Sequence, residues 1–164
     1  MKKTVLIPTD FTIQSLNILK TFLNQNPNNQ YHIILVHGIN IGDSIRDLLF
    51  FSKNKQIQDL ANDAFIEAFE VIKNKFDSQI NSIKIDFFTG SNQAAFNNFI
   101  EGNEINQIIN SNYKLKFSTS KSFDFSRYFN KCKAQNTTIE IANQLNIPEK
   151  GKLAEVFFNQ VSVG

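Results

Sequence analysis

The 164-residue sequence contains no tryptophan, one cysteine and only two histidines. The lone Cys132 cannot form an internal disulfide, and His32 and His37 do not provide the ligand spacing of a structural zinc site. The apolar run near the start is broken by Pro8 and Asp10, which argues against a signal peptide and a membrane span. We therefore expect a cytoplasmic protein with no structural metal and no membrane partner.

Neither sign of charge is in clear excess. The formal net charge is +2 at pH 7, which is too small to require nucleic acid or an anionic membrane as a partner. Phenylalanine, in contrast, is abundant, and its 17 side chains should supply much of the core volume. A chain of 164 residues is large enough for one domain with a core of its own.

Short runs rich in β-branched and aromatic residues predict strands. The first run ends at Pro8. The run over 31–37 is almost continuously apolar, as expected for a strand covered on both faces, and ends at Gly38. Further strands are predicted over 83–88, 104–110 and 137–141.

Helical patterns separate these strands. The first predicted helix is capped by Thr12 and ends in an asparagine-rich loop. Apolar residues at three-four spacing predict one long helix over 55–76. The remaining helices are predicted after a turn and cap at Gly90 and Ser91, and over 123–133. The stretch 42–54 is either a short helix or a packed loop.

The alternation of strands and helices predicts an α/β fold. Each connection is long enough for a crossover, so the strands should form one doubly wound, five-stranded parallel sheet with helices on both faces. We expect a single domain over 1–147. The segment 148–164 should be a C-terminal extension that packs on the same or a partner subunit, as a strand or a helix.

Asp10 follows the first strand and precedes the first helix. Open α/β sheets usually bind ligands at the carboxyl ends of their strands, so Asp10 is a candidate ligand contact. Aspartate at such a position also commonly organises a turn and a helix amino terminus through backbone hydrogen bonds. The sequence leaves both roles open.

Two short motifs give the sequence a family resemblance. Pro-Thr-Asp-Phe at 8–11 and Leu-Val-His at 35–37 resemble the universal stress protein family, and the element order is similar over about the first 141 residues. Thr12 stands where that family usually has serine. The resemblance implies the strand order 3-2-1-4-5, a homodimer formed through the last strand, and a role in stress response or signalling.

In that strand order the first and fourth strands are neighbours. Their carboxyl ends mark the switch point of the sheet, so Thr9, Asp10, Ser111 and Asn112 should line one crevice. The edge at 138–141 and the apolar residues of the tail also need cover, which fits a dimer. These tail residues are Val156, Phe157, Phe158, Val161 and Val163.

Many members of the family bind ATP through a Gly-x-x-Gly loop after the fourth strand. The sequence has no glycine between Ser111 and Thr138, so the backbone cradle for the phosphates should be missing. Pro8 and Asp10 match residues that lie beside the base and ribose in nucleotide-binding members. Gly38, however, replaces a common valine, which removes an apolar contact for the base.

The stretch 114–133 contains six basic residues and a single acid, Asp124. Such a run is usually a solvated face. Alternatively, Lys121 with the hydroxyls of Ser118, Ser120 and their neighbours could bind a phosphate through side chains. We therefore expect no cofactor, and ATP binding only if these side chains replace the glycine loop.

Three functions are compatible with these residues. The first is a universal-stress-like signalling or binding protein without catalytic activity, which does not bind ATP in the usual way and acts through its surface, its dimer or a protein partner. The second is a nucleotide- or anion-binding member with an altered Ser/Lys loop. The third is a small α/β transferase or hydrolase that uses Asp10 and His37 as an acid-base pair, but the sequence shows no nucleophile for it.

Overall fold

The computed structural model describes residues 3–42 and 44–141. The predicted extension 148–164 lies outside the described residues. Six strands are β1 Lys3–Pro8, β2 Tyr31–Ile39, β3 Ile80–Phe88, β4 Gln107–Ser111, β5 Ser122–Phe123 and β6 Gln135–Ile139. Five α-helices are α1 Leu16–Gln25, α2 Ile45–Leu49, α3 Lys53–Leu60, α4 Asp63–Lys75 and α5 Gln93–Gly102, and a 3₁₀ helix covers Ser126–Lys131.

Five of the strands form a parallel sheet in the order β3-β2-β1-β4-β6. Since β6 is the fifth predicted strand, the predicted doubly wound parallel sheet and its order are confirmed. The first and fourth strands are neighbours, with Val5 opposite Gln107. The short strand β5 was not predicted, and it pairs antiparallel with the end of β2.

Successive residues of β1 point to the two faces of the sheet. Val5 and Ile7 belong to the core cluster that contains residues of α1 and α4, whereas Leu6 belongs to the cluster of α5 and the 3₁₀ helix. The central strands β1 and β2 are therefore covered on both faces, and this explains why their sequences are mostly apolar rather than alternating.

The long helix predicted over 55–76 is wrong, because the chain breaks at Ala61 and Asn62. Ala61 is extended at the end of α3, and Asn62 begins α4 by accepting a hydrogen bond from the Phe65 amide at 2.8 Å. The apolar stripe continues across the break because side chains of both helices pack on one core cluster. Periodicity alone cannot reveal a break of this kind.

The other boundary predictions need smaller corrections. Gly38 does not end β2, which continues to Ile39 because β5 pairs with its last residues. Asn92, rather than Ser91, caps α5. The helix predicted over 123–133 is replaced by β5, a turn and the 3₁₀ helix. The undecided stretch 42–54 contains α2 and the start of α3.

Candidate functional site

The turn after β1 is held by side-chain hydrogen bonds. Thr9 Oγ1 accepts from the Phe11 amide at 3.1 Å and lies 3.1 Å from Ser15 Oγ. Thr12 is not the α1 cap that the sequence predicts, because α1 begins one turn later, but its Oγ1 accepts from the Ser15 amide and closes the preceding turn.

Phe11 has a φ of +63°, a region that a bulky residue enters only at a cost. Its buried ring is held 4.9 Å from the His37 ring and 5.4 Å from the Phe65 ring, measured between centroids. Core packing therefore holds this turn in a conformation that places Asp10 over the carboxyl edge of the sheet.

Asp10 is buried, and both of its carboxylate oxygens accept hydrogen bonds from the chain. Oδ1 accepts from the amide and hydroxyl of Thr12. Oδ2 accepts from the Tyr113 hydroxyl and from the Lys116 amide, each at 2.7 Å. Asp10 thus organises its own turn and also ties that turn to the stretch that follows β4.

Tyr113 was missed by sequence reasoning. Its hydroxyl donates to Asp10 and lies 3.1 Å from Thr12 Oγ1. Burial, together with the charge of Asp10, raises the pKa of the Tyr113 hydroxyl far above its ordinary value. The phenol is therefore protonated at neutral pH and serves as a hydrogen-bond donor.

His37 is the second point at which this stretch is attached. Its Nδ1 lies 2.8 Å from the Thr9 carbonyl, which can only accept, so Nδ1 carries the proton. Nε2 then accepts from the Ser122 hydroxyl at 2.6 Å. Burial lowers the pKa of His37, although the Thr9 carbonyl and the charge of Asp10 oppose that shift. The ring is accordingly neutral.

The His37–Ser122 contact has the donor and acceptor roles of a nucleophile and its base. However, His37 is only 1% exposed, and its Nδ1 is bound to a carbonyl rather than to a carboxylate. Phe117 packs edge-on against the imidazole at 5.6 Å between centroids. A substrate could reach this pair only if the covering stretch moved, so the contact serves to close the fold.

Gly38 is needed because β5 approaches it closely. A Cβ at this position would lie 2.5 Å from the Phe123 carbonyl oxygen, nearer than side-chain carbons are found to any atom. Two residues further on, the Asn40 amide donates to the Lys121 carbonyl at 2.8 Å. We call residues 113–123 the crossing segment, because they run from β4 across the ends of β1 and β2.

A cavity of about 180 Å³ lies at the switch point between β1 and β4. Pro8, Ser111, Tyr113, Lys114 and Asp124 are among its lining residues, whereas Asp10, Gly38 and Lys121 are not. Pockets that take drug-sized ligands are typically about 300 to 1,000 Å³. This cavity is therefore smaller than the pockets that hold nucleotide-sized ligands.

The predicted crevice residues are only partly brought together. Ser111 lines the cavity, and its hydroxyl accepts from the Tyr113 amide at 3.1 Å. Asn112 instead bonds to Ile141, whose amide donates to Asn112 Oδ1 at 2.8 Å. Thr9 is buried beneath the turn.

The residues suggested for a side-chain phosphate site lie on the surface, outside the switch-point cavity. Ser118, Ser120 and Lys121 are exposed on the crossing segment. Their neighbour Thr119 accepts from the Lys121 amide at 3.3 Å, so its hydroxyl stabilises the local turn.

Over 3–42 and 44–141, no cluster of three or more His, Cys, Asp or Glu side chains is placed to hold a metal ion. Within the same ranges, no helix is both long and apolar enough to cross a membrane.

No family model matches the sequence, and no curated protein matches it. Solved structures do match the fold. The hypothetical protein PH0823 is 19% identical, with a TM-score of 0.53 over 87% of this chain and 99% of its own. Universal stress protein UspA from Lactobacillus plantarum is 13% identical, with a TM-score of 0.51 over 85% of this chain and 97% of its own.

The chain therefore has the fold of the universal stress proteins, and the resemblance seen in the sequence is confirmed at the level of the fold. A universal stress protein family protein from Arabidopsis thaliana, solved with AMP bound, is 12% identical and has a TM-score of 0.45 over 90% of this chain and 97% of its own. That last likeness is too weak to bear on the ligands of this chain.

Proposed function

We propose that this protein is a universal-stress-like binding or signalling protein without catalytic activity, and that it does not bind ATP in the usual way. The proposal rests on the way the crossing segment packs against the end of the sheet. It uses the Asp10 carboxylate and covers Gly38, the two positions at which the family resemblance places the ribose and the base.

A ribose hydroxyl would have to compete for Asp10 with donors that are already in place. Tyr113 and the Lys116 amide each donate to Oδ2 at 2.7 Å. Hydrogen bonds to a charged group are worth roughly 1.5 to 3 kcal/mol each, so a ligand that displaced both would first lose several kcal/mol. That loss is a substantial part of the roughly 8 kcal/mol of a micromolar complex.

The base and the phosphates face separate obstacles. The Phe123 carbonyl already lies against Gly38, so an adenine ring could enter only after β5 had left β2. The crossing segment contains no glycine that could turn its backbone amides toward a triphosphate. Ser118, Ser120 and Lys121 are exposed, whereas the Ser122 hydroxyl is already bonded to His37.

Titration calorimetry with ATP and magnesium tests the proposal. We expect a dissociation constant no tighter than about 1 mM. A micromolar constant that is lost in Lys121→Ala, but kept in the exposed control Lys131→Ala, would overturn the proposal and establish nucleotide binding through the Ser/Lys stretch.

A second candidate, the binding of a small anion, is favoured by one observation. Lys114 lines the switch-point cavity together with the hydroxyl residues Ser111 and Ser126. A cavity of about 180 Å³ has room for an ion such as phosphate, although Asp124 also lines it and opposes negative charge. Calorimetry with inorganic phosphate, on the wild type and on Lys114→Ala, distinguishes this function from the first.

We also propose that the protein is a cytoplasmic homodimer that pairs through β6. Among the described residues β4 is the only strand paired with β6, and sheet edges of this kind usually need cover. Light scattering should give twice the chain mass at micromolar concentration. A monomer mass under those conditions would reject the dimer.

A further inference from the structure

Four large apolar side chains stand in solvent on one short stretch. Ile45 is 74% exposed, Leu48 55%, Leu49 74% and Phe50 78%. We call these four residues the α2 patch. Isolated exposed apolar residues are ordinary, but contiguous apolar surface is uncommon on a monomer and usually marks a surface that binds something.

A helix cap and two contacts with β3 define the position of the α2 patch. At its start, Ser44 Oγ accepts from the Asp47 amide at 3.0 Å and caps α2. At its end, Phe51 packs on Phe87 in the core, with ring centroids 5.9 Å apart. Lys53 then pairs with the buried Asp86 at 2.8 Å. The helix is thus capped at its start, and the residues that follow it are attached to the core.

The chain has an apolar segment of its own that needs cover. Residues 142–164 lie outside the described residues and include Leu153, Val156, Phe157, Phe158 and Val161. This segment leaves the sheet at Ile141, which Asn112 holds by two hydrogen bonds of 2.8 and 3.3 Å. The exit lies at the carboxyl edge of the sheet, and α2 follows the end of β2 at the same edge.

The distance from this exit to α2 is within reach. Three strand steps separate β6 from β2 in the sheet. At about 4.8 Å per step, β6 and β2 are about 14 Å apart, and α2 begins at Ile45, six residues after β2 ends. The eleven residues 142–152 can span up to about 36 Å when extended, at roughly 3.3 Å per residue.

We propose that the stretch 153–161 of the same chain docks on the α2 patch. The charge of Glu155, within the docking stretch, is opposite to that of the exposed Arg46 on α2. A tethered segment also has an effective concentration in the millimolar range, which exceeds that of a second copy at micromolar concentration. The patch and the tail therefore cover each other, and this inference does not depend on what the switch-point site binds.

The absence of tryptophan offers a clean probe of this contact. In the full chain, Phe50→Trp should emit at the short wavelength of a covered indole. Adding Phe157→Asn and Phe158→Asn should shift its emission to the red. The control is Ile66→Trp on α4, which replaces a side chain that is 45% exposed away from α2 and should not respond to the tail substitutions. Emission from Phe50→Trp that is already red, or unmoved by the tail substitutions, would overturn the docking.

Cross-linking tells a contact within one chain from a contact between copies. In a Cys132→Ser background, Phe50→Cys with Phe157→Cys should form an intramolecular disulfide, seen as a fast-migrating monomer on a non-reducing gel. The control pair, Ile66→Cys with Phe157→Cys, should cross-link much more slowly. A disulfide-linked dimer, or equal rates for the two pairs, would overturn docking within the chain.

Discussion

The Tyr113 hydroxyl donates to Asp10 Oδ2 at 2.7 Å and joins residues that are 103 positions apart in the sequence. Asp10 lies on the turn after the first strand of the sheet, and Tyr113 is the second residue after β4. Together with the bond from the Lys116 amide to the same oxygen, it ties the chain that leaves β4 to the turn after β1. The crossing segment consequently lies over the switch point instead of extending into solvent.

Tyr113→Phe removes this bond and leaves the buried carboxylate with one donor fewer. We expect the free energy of unfolding to fall by about 1 to 3 kcal/mol, because an acceptor without its partner keeps its desolvation cost. Urea titration followed by circular dichroism measures the change. Tyr128→Phe removes the same atom away from Asp10 and should cost less, and an equal loss in both variants would contradict the role given to Tyr113.

Gly38→Ala tests the close approach of β5. The new Cβ would lie 2.5 Å from the Phe123 carbonyl oxygen, so β5 has to move. We expect a loss of roughly 1 to 3 kcal/mol and faster hydrogen exchange at the Asn40 amide, which donates to the Lys121 carbonyl.

Gly102→Ala is the matched control for that substitution. A Cβ at Gly102, in the last turn of α5, meets nothing within 4 Å. This variant should be neutral or slightly more stable, because alanine has less freedom to lose on folding. Unchanged exchange at Asn40 in Gly38→Ala would show that β5 does not depend on the glycine.

His37 should make stability depend on pH. Burial lowers its folded-state pKa below the ordinary value of 6.5, so the unfolded chain binds the proton more readily. The contribution of the neutral ring is present above pH 6.5 and is lost as pH falls below that value. Urea midpoints measured between pH 7.5 and 5.5 should therefore decrease, and His37→Gln should flatten the decrease. A slope that persists in that variant would place its origin in other groups.

Asn62→Ala removes the cap that separates α3 from α4. The Phe65 amide loses its acceptor at 2.8 Å, which should destabilise the protein by about 0.5 to 2 kcal/mol. Asn54→Ala, an exposed substitution inside α3, should be neutral or slightly stabilising because alanine favours helix. Thermal unfolding of both variants distinguishes a capping effect from a general effect of losing an asparagine.

The sheet could be predicted because its strands carry local signals. The nearly continuous apolar run in β2 indicates that both faces of this strand are covered. In the covering helices, apolar residues recur at the spacing of one helix face, and this periodicity predicts the helices. The strand order came from the family resemblance and agrees with the structure. The turn-organising role of Asp10 agrees with the bond that it accepts from the Thr12 amide, whereas its role as a ligand contact stays a prediction.

The closure of the site could not be predicted in the same way. Tyr113 contacts Asp10 across 103 residues of sequence, and Ser122 contacts His37 across 85. Neither contact produces a periodic pattern in the sequence. In the sequence, the crossing segment stands out because it lacks glycine and contains lysines. Both features bear on ligand binding and say nothing about how the segment packs. Its actual packing depends on Phe117 and Phe123, whose positions are set by β2 rather than by neighbours in sequence.

The crossing segment is also part of the only covalent route from β4 to the edge strand β6. A molecule that contacted Asp10 or Gly38 would have to displace residues whose continuation, through the 3₁₀ helix and Ala134, is buried against the sheet and leads directly into β6. One stretch of chain therefore both closes the centre of the sheet and delivers its outermost strand.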